Sequence, residues 1–145
     1  MNILKILTSE RKTGNLGELR AVKLLKRKGY KILERNYVAC GAEIDIIAKK
    51  RGITAFVEVK TRNLKHIGHY ELRPASSVTP EKQQKIIKVA NYYRRRHMDD
   101  TRIRFDVIEV YLEDESKVMK VKDIKHLESA FNFNTAYDGY HPKSN

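Results

Sequence analysis

Apolar residues recur at helical spacing in the first part of the chain. Between residues 13 and 28, Ala21 and Val22 lie on one helical stripe, and Gly29 follows as a natural left-handed cap. Glu18 lies on the same stripe, one turn before these apolar residues. The pattern predicts a helix whose glutamate leans toward the packed side. A first-turn glutamate that complements the helix dipole explains Glu18 about equally well.

The apolar pattern then changes to the alternation that is typical of strands. Residues 30–38 are predicted to form a first strand. Residues 41–62 contain two β-prone runs on either side of the turn-like segment 49–52. This stretch is therefore predicted to be a β-hairpin that follows the first strand.

A second helix and a further strand are predicted after an aperiodic segment at residues 63–78. Thr79 is a suitable N-cap, and the proline after it predicts a helix that runs to about residue 96. Residues 102–112 alternate strongly and predict a core strand, and residues 117–121 predict a weaker one. This order of elements predicts an α/β fold with a central mixed sheet of about five strands flanked by helices.

Four charged residues stand inside the two apolar runs of the hairpin. Glu43 and Asp45 lie on the first run, and Glu58 and Lys60 lie on the second. Residues two apart on a strand share a face, so each pair projects from one side. A four-residue loop would place Glu43 opposite Glu58, whereas a slide of two residues would place Asp45 there. Both registers bring all four groups to one face.

Opposed carboxylates on neighbouring strands repel each other and need a compensating cation. They lie about 5 Å apart, and burial among apolar residues raises their pKa values. Mg²⁺ or Mn²⁺ suits them, because such a cation takes one or two carboxylates plus waters and leaves positions open for phosphate oxygens. Lys60 would stand beside the metal, where it can orient or deprotonate a water. The alternative interpretation is an exposed, salt-bridged hairpin.

The overall charge points to a polyanionic partner. Thirty Lys and Arg against 18 Asp and Glu give a net charge of +12. On the second helix, Lys82 and Lys85 lie together outside the packing stripe, and either phosphate contact or simple solvation explains them. No helix joins a wholly basic face to a large exposed apolar face, which argues against a membrane partner.

Length and composition predict one cytoplasmic domain. A length of 145 residues suits a single core. We expect this domain to span residues 1–128, and residues 129–145, which are rich in Asn, to form a disordered tail. The single Cys40 excludes an intramolecular disulfide and fits a reducing compartment. The apolar run at the N-terminus is too short for a signal peptide or a membrane span.

Several segments together resemble a known protein family. Ile44-Asp45 followed by Glu58-Val59-Lys60 is similar to the PD-(D/E)xK motif of restriction-endonuclease-like nucleases, with Ile in the place of the proline. More narrowly, the chain resembles the YraN family of small bacterial proteins. The segments that carry this resemblance are G-x-x-G-E at 14–18, G-A-E-I-D-I-I-A at 41–48, F-V-E-V-K-T-R at 56–62, K-Q at 82–83 and R-F-D-V at 104–107.

The resemblance implies a restriction-endonuclease-like αβββαβ core and a Mg²⁺-dependent (or Mn²⁺-dependent) endonuclease that hydrolyses DNA. It implies that Asp45 and Glu58 bind the metal and that Lys60 is the catalytic lysine. A glutamate on the first helix often joins the metal site of the related nucleases, which adds Glu18 as an auxiliary ligand. Glu43 is a further candidate ligand, and its role depends on the hairpin register.

The resemblance also suggests how nucleic acid is bound. Arg62 and Gln83 belong to the family motifs, and together with Lys82 and Lys85 they are the predicted contacts to nucleic acid. The order of acidic residues is similar to that of Holliday junction resolvases, which implies branched DNA as a substrate and a homodimer as one possible assembly. Two other functions stay open: a catalytically silent nucleic-acid-binding module on a nuclease scaffold, and an RNA-directed nuclease.

Three further residues have no assigned role. His66 and His69 have an H-x-x-H spacing, but two solvated loop histidines explain them better than a metal site does. Asp106 shares a strand face with Arg104, and an ion pair between these two residues is the preferred interpretation.

Overall fold

The computed structural model describes residues 3–64, 78–115 and 118–133, with side chains from residue 14 onward. Two helices and five strands make up these ranges. In chain order they are α1 (Ile3–Arg27), β1 (Lys31–Ala39), β2 (Ala42–Lys50), β3 (Ile53–Asn63), α2 (Pro80–His97), β4 (Arg102–Glu115) and β5 (Val118–Phe131).

The five strands form one mixed sheet in the order β1-β2-β3-β4-β5. Consecutive strands pair antiparallel except β3 and β4, which are parallel because α2 carries the chain back across the sheet between them. The first six elements follow the order αβββαβ. The predicted α/β class and the restriction-endonuclease-like core are confirmed.

The turn between β2 and β3 has only two residues, Arg51 and Gly52. Both have positive φ values, 47° and 74°, as a two-residue hairpin turn of type I′ requires. The predicted turn at 49–52 was therefore too long. The short turn pairs Lys50 with Ile53 and continues to Ile46 and Val57, which is the second of the two predicted registers.

Each face of the sheet is covered by one helix. Helix α1 packs on one face of the sheet and α2 packs on the other, where the predicted packing stripe of α2 is buried. Two hydrophobic layers result, the first between α1 and the sheet and the second between α2 and the sheet. The first layer contains Ala21, Val22, Leu25, Ile46, Ala48, Ala55, Val57 and Ile108. The second contains Ile44, Ile47, Phe56, Ile86, Ile87, Ala90, Tyr93, Phe105 and Val107.

Two elements differ most from their predicted bounds. Helix α1 begins at Ile3, about ten residues before the predicted start, because Gly14 and Gly17 lie inside the helix and do not end it. Strand β5 runs on to Phe131, where the Phe131 ring stacks on Phe105. It therefore includes the first three residues of the predicted tail. The polar stretch 122–130 gains its strand structure from backbone pairing with β4, a tertiary effect that residue propensity does not reveal.

Candidate active site

Asp45 lies where the regular alternation of β2 is interrupted. Ile44 packs on the face covered by α2, whereas Ile46 packs on the face covered by α1, although residues two apart share a face in a regular strand. On the adjacent strand, Asn36 has a φ of 51°, a left-handed conformation that Asn tolerates better than most residues. At this break the Asp45 side chain reaches β3, and its Oδ2 accepts a hydrogen bond of 2.8 Å from the Val59 N–H.

Asp45 and Glu58 form a carboxylate pair in which Asp45 is half-buried and Glu58 is buried. The last pair of the β2–β3 ladder is Ile46 and Val57, so one further step brings Asp45 to Glu58. Glu58 is only 6% exposed. Burial, and next the negative charge of Glu58, raise the pKa of Asp45 to about 7. The pair consequently resists full ionisation near neutral pH unless a cation compensates it.

Two lysines contact the same oxygen of Glu58. The Lys82 Nζ, from the first turn of α2, lies 2.5 Å from Glu58 Oε1, and the Lys60 Nζ lies 3.6 Å from this oxygen. Burial alone would lower the pKa of Lys82, but the hydrogen bond to Glu58 and the charges of Glu58 and Asp45 raise it above the ordinary value. The two carboxylates and two lysines thus form one charge cluster.

Three members of this charge cluster, Asp45, Glu58 and Lys82, line an open cleft of about 350 Å³ between the β2–β3 hairpin and the start of α2. Helix α2 is fixed there by Thr79, whose Oγ1 accepts the Lys82 N–H at 3.2 Å. The residues that line the cleft are Gly41, Ala42, Glu43, Asp45, Glu58, Thr79, Glu81, Lys82, Lys85 and Ile86.

Glu43, which lines the cleft, forms a second acidic pair with Glu18. With its nitrogen turned toward them, the Asn36 amide donates to Glu18 Oε2 at 3.3 Å and to Glu43 Oε1 at 3.0 Å. Arg35 lies 3.6 Å from Glu18. Burial raises the pKa of Glu18, Arg35 opposes this rise, and Glu43 adds to it. The charge of Glu18 also contributes to the raised pKa of Asp45, so the two acidic pairs influence each other.

Helix α1 approaches β3 closely enough to bring Glu18 to the site. A Cβ atom at Gly17 would collide with the Thr61 side chain, which follows the site lysine Lys60 on β3. Only glycine allows this approach. By contrast, a Cβ at Gly14 would meet nothing within 4 Å. Of the two glycines in the G-x-x-G-E motif, Gly17 is therefore the one that the close packing of α1 on β3 requires.

The four predicted nucleic-acid contacts occupy different environments. Lys82 faces the carboxylates, and Lys85 is exposed at the cleft lining. Arg62 is half-buried on the face of β3 that carries Glu58, beyond the cleft. Gln83 is buried and donates to the Val78 carbonyl at 3.0 Å, which places its amide at the base of α2 and outside the cleft lining.

Asp106 belongs to a structural network on the α1 face. It is fully buried, and Arg104 donates to both of its oxygens at 2.8 Å. His126 Nε2 lies 2.8 Å from Oδ2, and the Ser129 N–H donates to Oδ1 at 3.0 Å. Burial opposes ionisation, but these partners hold the pKa of Asp106 below its ordinary value. The predicted pairing of Asp106 with Arg104 is confirmed.

Glu109 is a buried acidic residue that sequence reasoning did not single out. It lies beside Lys60 in the β3–β4 register and is 1% exposed. The Tyr111 hydroxyl donates to its Oε2, and burial together with this bond raises the pKa of Tyr111 to about 12. Within the described residues, its Oε1 has no hydrogen-bond partner. In the sequence, Glu109 could have been noticed as an acidic residue on the apolar face of the predicted core strand at 102–112.

The donor set of the cleft suits a hard divalent cation. Among the described side chains, no three His, Cys, Asp or Glu residues converge on a common point, so a closed all-protein cage of the zinc type does not fit. Mg²⁺ requires fewer protein ligands, because it takes one or two carboxylates and keeps several waters. Asp45 and Glu58 meet that requirement, and a cation would remove the repulsion that raises the Asp45 pKa. The roles of Glu18 and Glu43 as ligands stay predictions.

His66 and His69 fall outside the described residues, as does most of the predicted tail. Within residues 3–64, 78–115 and 118–133, neither helix has an apolar stretch long enough to cross a bilayer.

A mixed sheet with an αβββαβ core, carrying D and E-x-K on adjacent strands, defines the restriction-endonuclease-like class of PD-(D/E)xK proteins. Comparison with known families makes the assignment specific. The chain belongs to the family described as "Uncharacterised protein family UPF0102", whose model matches residues 17–110. This is the YraN family that its motifs resemble.

Individual relatives match over most of their length. A UPF0102 protein of Caldicellulosiruptor saccharolyticus is 40% identical over 119 residues, which cover 81% of this chain and 98% of the relative. A UPF0102 protein of Clostridioides difficile is 44% identical over 124 residues, covering 85% and 99%. One of Pelobacter propionicus is 42% identical over 124 residues, covering 83% of each chain. The family match at residues 17–110 spans all four residues of the charge cluster.

Proposed function

We propose that the protein is a divalent-metal-dependent endonuclease that hydrolyses phosphodiester bonds in DNA, with a preference for branched structures in repair or recombination. The observation that carries the proposal is the carboxylate pair Asp45–Glu58 with Lys60 at 3.6 Å from Glu58. A purely structural acidic pair would be costly here, since burial and mutual repulsion oppose its ionisation. Such strained carboxylates cluster at functional sites.

The residues of the charge cluster and of the second acidic pair have distinct roles in this reaction. Asp45 and Glu58 would hold Mg²⁺ or Mn²⁺, and Glu18 with Glu43 would support the site from the adjacent acidic pair. When bound, the metal polarises the scissile phosphate and lowers the pKa of a water. Lys60 lies on the same strand face as Glu58, where it can position the attacking water and stabilise charge that develops on phosphate.

Charge and shape favour nucleic acid as the substrate. The net charge of +12 attracts a polyanion, and Lys85 stands exposed where a backbone phosphate would enter the cleft. The sequence contains no recognisable module for reading base sequence. Selection by DNA shape is therefore favoured over selection by sequence.

The full chain should be tested on a panel of end-labelled substrates: linear duplex, single strand, flap, four-way junction and RNA. Each is incubated with Mg²⁺, with Mn²⁺ and with EDTA. We expect metal-dependent cleavage of DNA, greatest on a branched substrate, and a loss of at least about 100-fold in Asp45→Asn, Glu58→Gln and Lys60→Met. Asp100→Asn removes an exposed carboxylate at the far end of α2 and is the matched control.

The outcomes separate the alternatives. Tight binding without cleavage of any substrate would favour the silent binding module, and cleavage confined to RNA would favour the RNA-directed nuclease. Cleavage that persists in Asp45→Asn and Glu58→Gln alike would show that this cleft is not the active site.

A further inference from the structure

Lys82 is placed unusually for a lysine that serves only to bind nucleic acid. Its Nζ lies 2.5 Å from Glu58 Oε1, nearer than the site lysine Lys60 at 3.6 Å. The charge of Asp45 acts on it as well. Among the described residues, Lys82 therefore supplies the positive charge that lies closest to the Glu58 carboxylate, which would also ligate the metal.

The backbone of Lys82 is fixed, and its side chain is partly exposed at the rim of the cleft. Its N–H is held by the Thr79 N-cap, and Pro80 sets the first turn of α2. Its side chain is 43% exposed, compared with 29% for Lys60, and it lines the open cleft. A flexible four-carbon stem at a cleft rim can exchange one anion for another without movement of the helix.

We propose that Lys82 is a built-in counter-ion of the site: it neutralises Asp45 and Glu58 until a divalent cation takes its place, and then transfers to a phosphate of the nucleic acid. This inference rests on the proposed function and adds a regulatory step to it. An ammonium group and a divalent cation repel each other, and both would compete for the Glu58 carboxylate. Occupancy by one therefore weakens the other.

Exchange of this kind couples metal binding to substrate binding. A phosphate that attracts Lys82 away from Glu58 frees the carboxylate for the metal, so nucleic acid should raise the metal affinity. By linkage, the metal raises the affinity for nucleic acid by the same factor. The protein alone would then hold metal weakly and become fully loaded only on its substrate.

The test is direct Mn²⁺ binding to the full chain, measured by electron paramagnetic resonance of free Mn²⁺ without nucleic acid. Lys82→Gln removes the competing charge and should bind Mn²⁺ at least about fivefold more tightly than wild type. Lys88→Gln makes the same charge change on the same helix outside the carboxylate cleft and should bind like wild type. Lys82→Arg keeps a cation at the carboxylates and should bind no more tightly than wild type.

A second measurement tests the coupling. A phosphorothioate DNA duplex, which resists hydrolysis, should tighten Mn²⁺ binding to wild type and to Lys88→Gln but leave Lys82→Gln nearly unchanged. Equal Mn²⁺ affinity of wild type and Lys82→Gln, with binding abolished in Asp45→Asn, would overturn the exchange and leave the proposed function standing. Absence of Mn²⁺ binding in wild type and in every variant, with and without DNA, would overturn both.

Urea denaturation of each variant shows whether a change in Mn²⁺ binding comes only from a change in stability. If Lys82→Gln unfolds more easily because its carboxylates repel, the Lys82→Arg protein still decides the question. Tighter Mn²⁺ binding by Lys82→Arg than by wild type would contradict the exchange, because the arginine retains the competing charge.

Discussion

Replacement of Asp45 by asparagine should stabilise the protein above neutral pH. The amide removes the charge that burial and Glu58 disfavour, and its oxygen can still accept the Val59 N–H. Its new N–H group can donate to Glu58, so the substitution turns a repulsive contact into a hydrogen bond. Enzymes commonly sacrifice stability at such sites in exchange for activity.

The size and pH range of this effect follow from the Asp45 pKa. It rises from an ordinary value of 3.8 to about 7 on folding. Between these two values the folded protein holds the proton more tightly than the unfolded chain, so the wild type loses stability as the pH rises through this window. At about 1.4 kcal/mol per pH unit, the loss amounts to roughly 4 kcal/mol at pH 8.

Urea denaturation of wild type and Asp45→Asn at pH 4, 6 and 8 measures the effect. The difference in unfolding free energy should grow in favour of Asp45→Asn between pH 4 and 7 and then level off, by about 2–4 kcal/mol in total. Asp100→Asn, a substitution of an exposed carboxylate, should show no such growth. A difference between Asp45→Asn and wild type that does not change with pH would refute the account of a strained carboxylate pair.

Two predictions concern packing and the buried network. Gly17→Ala should destabilise the fold by about 1–3 kcal/mol in urea denaturation because its Cβ collides with Thr61, and adding Thr61→Ala should recover part of that loss. Gly14→Ala, whose Cβ meets nothing within 4 Å, should be neutral or stabilising by up to about 1 kcal/mol. An equal loss from both glycine variants would contradict the close approach of α1 to β3. Asp106→Ala should cost about 3–5 kcal/mol because it leaves the Arg104 charge without its buried partner, and a loss below about 1 kcal/mol would show that the network contributes little.

Much of the sheet could be predicted because its signals are local. The alternation in residues 41–62, the N-cap Thr79 and the apolar stripe of α2 each depend on neighbours in the sequence. The ion pair between Asp106 and Arg104 could be predicted for the same reason, because residues two apart on a strand project from the same face. These features are all present in the structure.

The features that could not be predicted depend on tertiary contacts. The position of Lys82 against Glu58 follows from the crossover that brings the start of α2 over β3, and the sequence showed only a lysine outside the packing stripe. The left-handed Asn36 interrupts the sheet beside Asp45 and donates to Glu18, yet nothing in a single sequence distinguishes it from other strand residues. The register between β2 and β3 could not be predicted either, because it depends on the turn between them, which is two residues shorter than predicted.

The central claim, that Asp45 and Glu58 form a metal-dependent nuclease site, is tested most directly by single-turnover cleavage of an end-labelled four-way DNA junction. The wild type should cut with Mg²⁺ and stop on addition of EDTA, and Asp45→Asn should lose at least about 100-fold in rate while remaining folded and able to bind the junction. Cleavage by wild type in EDTA, or equal rates for wild type and Asp45→Asn, would contradict the claim.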